Sequence, residues 1–218
     1  YTTRHVNEYI SFDAEMGFIE SFNDIMDMLE AVVKRIVGDV QRNCTTELND
    51  YPSEFLVPDR FPRIKLTEAL EILKKEYGKQ IIGVDIDPEG EKMISEWAQK
   101  TFNSDFIFLT HYPAAARPFY TMPSSDPQYT ESFDLIYRGV ELATGGQRIH
   151  NPEQLIASIK KHRLDPKDFA DYIKIFELGM PPHGGWGLGS ERFVQKILGL
   201  PSIKEAILFP RDVRRLAP

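Results

Sequence analysis

Residues 4–15 combine side chains that could bind a nucleotide. The cationic Arg4 and the potentially cationic His5 are adjacent, and such groups can contact phosphate oxygens, arginine through two bonds at once. Tyr9 offers an aromatic face for a base, and Asp13 follows four residues later, on the same face of a strand. A solvated turn that leads into an edge strand would give the same local pattern, because motifs this short are weak signals.

Residues 133–150 bring together two carboxylates, a hydroxyl and an arginine. Asp134 and Glu141 are seven residues apart, so strict alternation places them on opposite faces of one strand. Gly139 allows a bulge or bend that would bring both to one site. With Thr144 they form an oxygen ligand set suited to Mg²⁺ carrying phosphates, and Arg148 is placed to receive a carboxylate. Charged residues on the outer face of a hairpin are the alternative.

Residues 183–192 are rich in glycine and end in a serine, a glutamate and an arginine. Alternating glycines let the backbone approach a ligand closely. Ser190 could cap the helix that follows, whose free N–H groups would lie near a phosphate. Arg192 falls in the first turn, where a cation is poorly matched to the helix dipole, and this indicates an anion nearby. A loop that serves packing alone remains the alternative.

The elements that must position these residues follow from hydrophobic periodicity and turn residues. Helices are predicted at 21–40, 67–77 (capped by Thr67), 88–101, 152–162, 166–179 and 191–199, and strands at 9–18, 106–110, 133–138 and 139–143. Residues 43–60 are predicted as a loop, Gly145-Gly146 as a bend, and 180–189 as a segment rich in Gly and Pro without an element. The fold class predicted is α+β, an antiparallel sheet with helices between its strands. No domain boundary is visible.

Composition limits the function classes. The 218 residues fit one domain, or a large piece of one, with a sizeable core. A net charge of -7 argues against a protein that coats nucleic acid nonspecifically. The single cysteine, Cys44, excludes an intrachain disulfide and a cysteine metal site, so a reducing, cytoplasmic environment is expected. No apolar run approaches membrane-spanning length, so no membrane partner is expected.

The three segments together resemble the class II aminoacyl-tRNA synthetases. Residues 187–192 (Gly-Leu-Gly-Ser-Glu-Arg) resemble the start of motif 3, which would span 187–199, and residues 4–15 resemble the end of motif 2. Further stretches are similar to the aspartyl enzymes of archaea and eukaryotes, namely 117–123, 133–134, 145–150, 181–185, 208–212 and 214–218. The resemblance covers residues 1–218, which would then be part of a catalytic domain.

The resemblance implies a fold and a set of site residues. The fold would be an antiparallel sheet flanked by helices, with ATP bound bent on the sheet between Tyr9 and Arg192. Catalytic roles would fall to Arg4, Glu141 and Arg192, and ATP binding to Arg4, His5, Val6, Tyr9, Glu141, Gly189, Ser190, Glu191 and Arg192. Asp13, Thr144, Arg148 and Gly187 would bind aspartate, and Asp134, Glu141 and Thr144 would hold Mg²⁺.

The activity implied is ATP-dependent activation of L-aspartate to aspartyl-adenylate, followed by transfer to the acceptor end of tRNA. Motif 1, which forms the homodimer interface in this family, and the start of motif 2 would lie upstream of Tyr1. Residues 1–218 by themselves are therefore expected to be inactive. Asparaginyl-tRNA synthetase, a synthetase-derived asparagine synthetase and a non-catalytic binding module are the alternatives.

Overall fold

A six-stranded sheet with helices on both faces forms the described part of the chain. The computed structural model describes residues 2–51 and 54–215, so the last three residues of the family-like stretch predicted at 214–218 lie outside it. The strand order is β1-β6-β5-β4-β3-β2, and every pair is antiparallel except β2 and β3. The strands are β1 Ser11–Gly17, β2 Arg63–Lys65, β3 Phe106–Thr110, β4 Ser132–Tyr137, β5 Val140–Gln147 and β6 His183–Gly189. The α+β prediction is confirmed.

Seven α-helices occur in the described residues. They are α1 Phe22–Asn43, α2 Thr45–Leu48, α3 Leu66–Tyr77, α4 Pro88–Phe102, α5 Pro152–Lys161, α6 Ala170–Glu177 and α7 Ser190–Ile197. Short 3-10 turns lie at Ala114–Ala116, Pro166–Phe169 and Ile203–Ala206. Across residues 2–51 and 54–215, no helix is both long and apolar enough to cross a membrane.

Helix starts follow capping chemistry at two helices and depart from it at a third. Ser21 and Asp24 form a capping box at the start of α1, and the Asp87 side chain accepts the Gly90 N–H at the start of α4. The predicted cap at Thr67 is wrong, because α3 begins at Leu66, directly after β2. The predicted loop at 43–60 also contains the single turn of α2.

The core lies on both faces of the sheet. Helix α1 packs against one face through Ile25, Leu29 and Val33, each with no exposed surface. Helices α3 and α4 cover the outer strands of the opposite face. A smaller apolar cluster joins α5 and α6 to the segment around Phe119 and Met122. The open part of this second face, over β1, β6 and β5, is where the candidate site lies.

The glycine-rich segment at 180–189 contains a central strand, which corrects the prediction that it has no element. Strand β6 pairs with β1 on one side and β5 on the other. A Cβ at Gly184 would lie 2.3 Å from Ile25 Cδ1 and 2.6 Å from the Gly146 carbonyl oxygen, so no larger residue fits between sheet and helix. The predicted bend at Gly145-Gly146 is likewise wrong, since both residues lie within β5 and pair with β4 and β6.

Candidate active site

Four of the predicted site residues form one row across the sheet. Asp13 of β1 pairs with Gly187 of β6, Gly187 pairs with Thr144 of β5, and Thr144 pairs with Asp134 of β4. Directly paired residues project to the same face of a sheet. The Asp13 side chain covers Gly187, where an added Cβ would lie 2.6 Å from Asp13 Oδ1. The row therefore needs a glycine at its centre.

A bulge in β5 brings Glu141 to the face that carries Asp134. The pairing changes register between Leu135–Ala143 and Ile136–Glu141, so Leu142 is the extra residue. Without it, Glu141 and Thr144 would point to opposite faces. Gly139 does not form the bulge as predicted, because it lies in the two-residue turn before β5 with a φ of +78°. Asp134 and Glu141 therefore lie on one face, as expected, but the bulge that brings them together is at Leu142 and not at Gly139.

A cleft of about 420 Å³ opens at the β1, β5 and α7 end of this row. Its lining contains these predicted site residues: Arg4, His5, Val6, Tyr9, Asp13, Glu141, Thr144, Gly187, Gly189, Glu191 and Arg192. Residues from both ends of the sequence therefore meet here. Asp134, Arg148 and Ser190 are not part of this lining.

Buried Glu91 connects Arg4 to Glu141, two residues that line the cleft. The Arg4 guanidinium forms a salt bridge with the Glu91 carboxylate, which also accepts the Glu141 N–H at 3.3 Å. Burial raises the pKa of Glu91, and Arg4 opposes that shift. The sequence shows Glu91 only as an acid in the first turn of a helix. No local signal reveals its role, because its partner lies 87 residues away.

Arg192 meets the anion that its unfavourable helix position indicated. Its Nη1 donates to the Glu141 carbonyl oxygen at 2.8 Å and lies 3.3 Å from Oε1 of the same residue. Burial, Asp134 and Glu91 raise the pKa of Glu141 to about 7 although Arg192 opposes them, and 37% of the side chain is exposed. His5 Nε2 lies 3.3 Å from Arg192 Nη2, and burial and both neighbouring arginines lower the pKa of His5.

A second cavity of about 590 Å³ continues from the first across Asp13, Thr144 and Gly187. Two arginines line it. The Arg148 Nε lies 3.2 Å from Glu15 Oε1, and its guanidinium lies over the Tyr120 ring. Arg117 is the other, and in the sequence it stands out only as part of the 117–123 resemblance. The arrangement offers two cations to an acidic ligand.

Arg117 contacts two of the three predicted metal ligands. Its Nη1 donates to Thr144 Oγ1 at 3.0 Å, and its Nη2 lies 2.8 Å from Oδ1 of the buried Asp134. The latter contact is an ion pair outside hydrogen-bond geometry, so the buried Arg117 Nη2 has no hydrogen-bond acceptor among the described residues.

The donor set fits a Mg²⁺ ion that arrives with phosphates. In the described ranges, no three or more His, Cys, Asp or Glu side chains are arranged to hold a metal ion by themselves. Glu141 has a raised pKa and two acidic neighbours. A divalent cation bound beside it would stabilise the ionised form of its carboxyl group. Mg²⁺ commonly takes one or two carboxylates and completes its shell with water and phosphate oxygens.

Ser190 and Glu191 fasten α7 to β1. Ser190 does not cap α7, which corrects the prediction, because its N–H and its hydroxyl both donate to the Ile10 carbonyl oxygen at 3.0 Å. The Glu191 carboxylate accepts the Ile10 N–H at 2.9 Å. Both residues therefore hold the edge of the cleft in the structure, and only Glu191 lines it.

The fold and these motifs define a class of protein. Residues 1–213 match the family model of tRNA synthetases class II (D, K and N), and the chain belongs to this family. An aspartate–tRNA(Asp) ligase from Pyrococcus horikoshii is 47% identical over 220 residues, which are 100% of the chain and 50% of that protein. The chain spans about half the length of the curated relatives it matches.

Solved structures support the same assignment. An aspartyl tRNA synthetase from Entamoeba histolytica superimposes with a TM-score of 0.94 at 38% identity, covering 100% of the chain and 46% of that protein. An asparaginyl-tRNA synthetase from Pyrococcus horikoshii, complexed with asparaginyl-adenylate, gives 0.91 at 29% identity, covering 100% and 50%. The resemblance inferred from the motifs is confirmed, and the aspartate relatives share the higher identity.

Proposed function

We propose that the full-length gene product activates L-aspartate with ATP and transfers the aspartyl group to tRNA. The row Asp13–Gly187–Thr144–Asp134 carries this proposal, because three of its residues, Asp13, Gly187 and Thr144, line both the 420 Å³ cleft and the two-arginine cavity on one face of the sheet. Residues 1–218 would be part of its catalytic domain, with motif 2 ending near Glu15 and motif 3 at 187–199. Relatives named as aspartate–tRNA ligases support the substrate.

In this proposal the 420 Å³ cleft binds ATP. Arg4 and His5 contact the terminal phosphates, and Tyr9, whose side chain is exposed beside the cleft, stacks on one face of adenine. Arg192 lies against the other face, where a guanidinium and an aromatic ring attract each other. Gly187 and Gly189 leave space for the substrates. Val6 and Glu191 complete the wall of the cleft.

The second cavity binds aspartate. Arg148 and Arg117 contact its carboxylates, and planar guanidinium groups suit this task because they can donate two bonds at once. The carboxylates of Asp13 and Glu15 are acceptors for its ammonium group. The substrate α-carboxylate then lies where the two cavities meet, beside Thr144 and Gly187.

The reaction forms a bond between the α-carboxylate oxygen of aspartate and the α-phosphorus of ATP, and pyrophosphate leaves. Glu141 and Asp134 would hold Mg²⁺, with Thr144 nearby, and the ion would neutralise phosphate charge. Arg4 and Arg192 supply further positive charge from the chain. Catalysis then rests on positioning and charge neutralisation, without a covalent nucleophile. The terminal ribose hydroxyl of tRNA subsequently takes the aspartyl group. A cytoplasmic homodimer is the proposed working form.

Exchange of pyrophosphate into ATP tests the proposal. We would assay the full-length protein and residues 1–218 with aspartate or asparagine, and expect aspartate-dependent exchange from the full-length protein alone. Arg148→Ala and Arg192→Ala should abolish it. Arg35→Ala, on an exposed arginine of α1, is the matched control and should retain it. The proposal would be contradicted if neither aspartate nor asparagine supported pyrophosphate exchange.

Asparagine activation is the second candidate. The similarity to a solved asparaginyl-tRNA synthetase over the whole chain favours it, and an arginine can also bind an amide oxygen. Exchange that depends on asparagine, and not on aspartate, would establish this candidate instead.

A further inference from the structure

Helix α5 contacts the backbone of the segment that carries Arg117. Ser158 Oγ donates to the Phe119 carbonyl oxygen at 2.5 Å. One turn later, the His162 ring places Nε2 3.2 Å from the Arg117 carbonyl oxygen. Two side chains from the same helix end therefore hold two alternate carbonyl groups of residues 117–119.

The His162 ring lies between two carbonyl oxygens. Its Nδ1 lies 2.9 Å from the Ser158 carbonyl oxygen, one turn back along α5. Both contacts are to carbonyl oxygens, which only accept hydrogen bonds, so a neutral ring with one N–H donates to only one of them, and we assign its proton to Nε2, facing Arg117. The side chain is only partly exposed, and its position follows from the end of the helix at Lys161.

Apolar packing holds the segment through the Phe119 side chain, whose ring contacts Phe169 and Tyr172. A cavity of about 180 Å³ lies between α5 and the segment, lined by Ala157 and Ser158 on one side and Pro118 and Thr121 on the other. Atoms that face a cavity lose the dispersion contacts of a packed core. The two side-chain contacts that cross this gap therefore add to the packing of Phe119 in holding the backbone at 117–119.

On its other side, this backbone positions the Arg117 guanidinium. The group lies 3.8 Å from the centre of the Tyr112 ring and contacts Thr144 and Asp134. Its buried Nη2 and Nε have no hydrogen-bond acceptor among the described residues. A shift of the backbone by a fraction of an ångström would change how this guanidinium meets a substrate carboxylate.

We propose that Ser158 and His162 are positioning residues for substrate recognition, acting through the backbone of residues 117–119 on Arg117. This inference rests on the proposed function, in which Arg117 contacts the amino acid substrate. Neither side chain lines the two cavities of the candidate site. Both act from behind the segment, as supports of a residue that does line the second cavity.

Substitutions that remove one donor each test the role in the full-length protein. Ser158→Ala and His162→Leu should each raise the KM for aspartate about fivefold, the effect of losing one neutral hydrogen bond, with the KM for ATP unchanged. His162→Gln can restore a donor near the Nε2 position and should recover much of the loss. Val33→Ala, at a fully buried position of α1 on the other face of the sheet, is the structural control. It should lower Tm and leave the KM for aspartate unchanged.

Hydrogen exchange of residues 117–122 gives a second readout that needs no substrate. The Thr121 and Met122 amides, bonded to Pro118 and Gln147, should exchange faster in Ser158→Ala and His162→Leu than in Val33→Ala. If the wild-type protein shows no aspartate-dependent exchange of pyrophosphate into ATP, the proposed function fails. Hydrogen exchange of the amides then decides the positioning role alone. An unchanged KM for aspartate in an active protein, or unchanged amide exchange, would overturn the inference.

Discussion

At the scale of single residues, each arginine of the candidate site contacts a carboxylate of the same chain. The pairs are Arg4–Glu91, Arg117–Asp134, Arg148–Glu15 and Arg192–Glu141. A paired guanidinium is held in one orientation before a substrate arrives, and such preorganisation lowers the cost of stabilising charge in a reaction. A substrate anion must then share each arginine with the carboxylate that already contacts it. These carboxylates therefore also determine how strongly each arginine attracts the substrate.

Gly187 gives a prediction at this scale. In Gly187→Ala the new Cβ would displace Asp13 Oδ1, which is the end of an exposed side chain and can rotate away. We expect a Tm close to that of the wild type and a KM for aspartate raised on the order of tenfold, because Asp13 leaves the amino acid cavity. Thermal unfolding and pyrophosphate exchange measure the two effects. A large fall in Tm would contradict the prediction.

His111 gives a pH-dependent prediction. Burial and the nearby Lys65 charge lower its pKa below the usual 6.5. The unfolded chain therefore binds a proton at a higher pH than the folded protein, and stability is lost as the pH falls below 6.5. His111→Asn, which tolerates the φ of +58°, should remove this loss.

Urea unfolding near pH 7.5 and near pH 5.5 is the measurement for His111. His111→Asn should lower the free energy of unfolding less at the acidic pH than at the alkaline one. At the acidic pH, the wild type alone is destabilised by a histidine that binds a proton more readily in the unfolded chain than in the folded protein. An equal difference at both pH values would show that His111 does not contribute to the pH dependence.

At the scale of elements, the site depends on one strand and one bulge. Strand β6 supplies a floor of glycines between β1 and β5, over which Asp13 and Glu15 project. The bulge at Leu142 turns Glu141 toward Asp134. Neither feature binds anything by itself, but each decides which side chains share the open face.

A pair of glycines in β6 tests the close packing of this strand. Gly184→Ala would place its Cβ against Ile25 of α1 and the backbone of β5, which cannot move independently, and should destabilise by about 3 kcal/mol. Gly189→Ala meets only the Arg192 side chain at 3.6 Å and should cost less than about 1 kcal/mol. Chemical denaturation of both variants measures the contrast. Similar losses would refute the packing explanation.

At the scale of the whole molecule, Arg138 ties together segments distant in the sequence. From the turn between β4 and β5, its guanidinium donates to the Glu54 carbonyl oxygen, to the Lys196 carbonyl oxygen in α7, and to the Asp105 carboxylate before β3. Asp105 is only 2% exposed and also accepts the Leu56 N–H. This junction holds the end of α7 against the hairpin that carries Glu141.

Arg138→Met should destabilise the protein by about 3 kcal/mol, because it leaves the buried Asp105 carboxylate without its cation. Arg138→Met combined with Asp105→Asn should cost less than the sum of the two single substitutions, since the double variant buries no unpaired charge. Urea unfolding of the four proteins measures the coupling. Strict additivity would contradict the proposed junction.

Local chemistry was sufficient for much of this architecture. Helix α1 was predicted from the spacing of apolar residues, α4 with acidic residues suited to its N-terminal end, and β3 from its continuous apolar run, because these signals act over a few neighbouring positions. The glycines at 184–189 and the cationic Arg192 were also visible in the sequence. Most of the predicted site residues do meet in one cleft, although their roles in substrate binding remain predictions.

Long-range contacts decided the rest. Glycine has a low β propensity, so β6 forms only because β1 and β5 pair with it and α1 packs closely behind it. The bulge at Leu142 depends on the register with β4, and the contact of Glu91 with Arg4 joins a helix to a turn 87 residues away. The sequence by itself determined which residue types were available to the site. The tertiary structure decided which of them face each other, because pairing register and cross-chain contacts have no local signal.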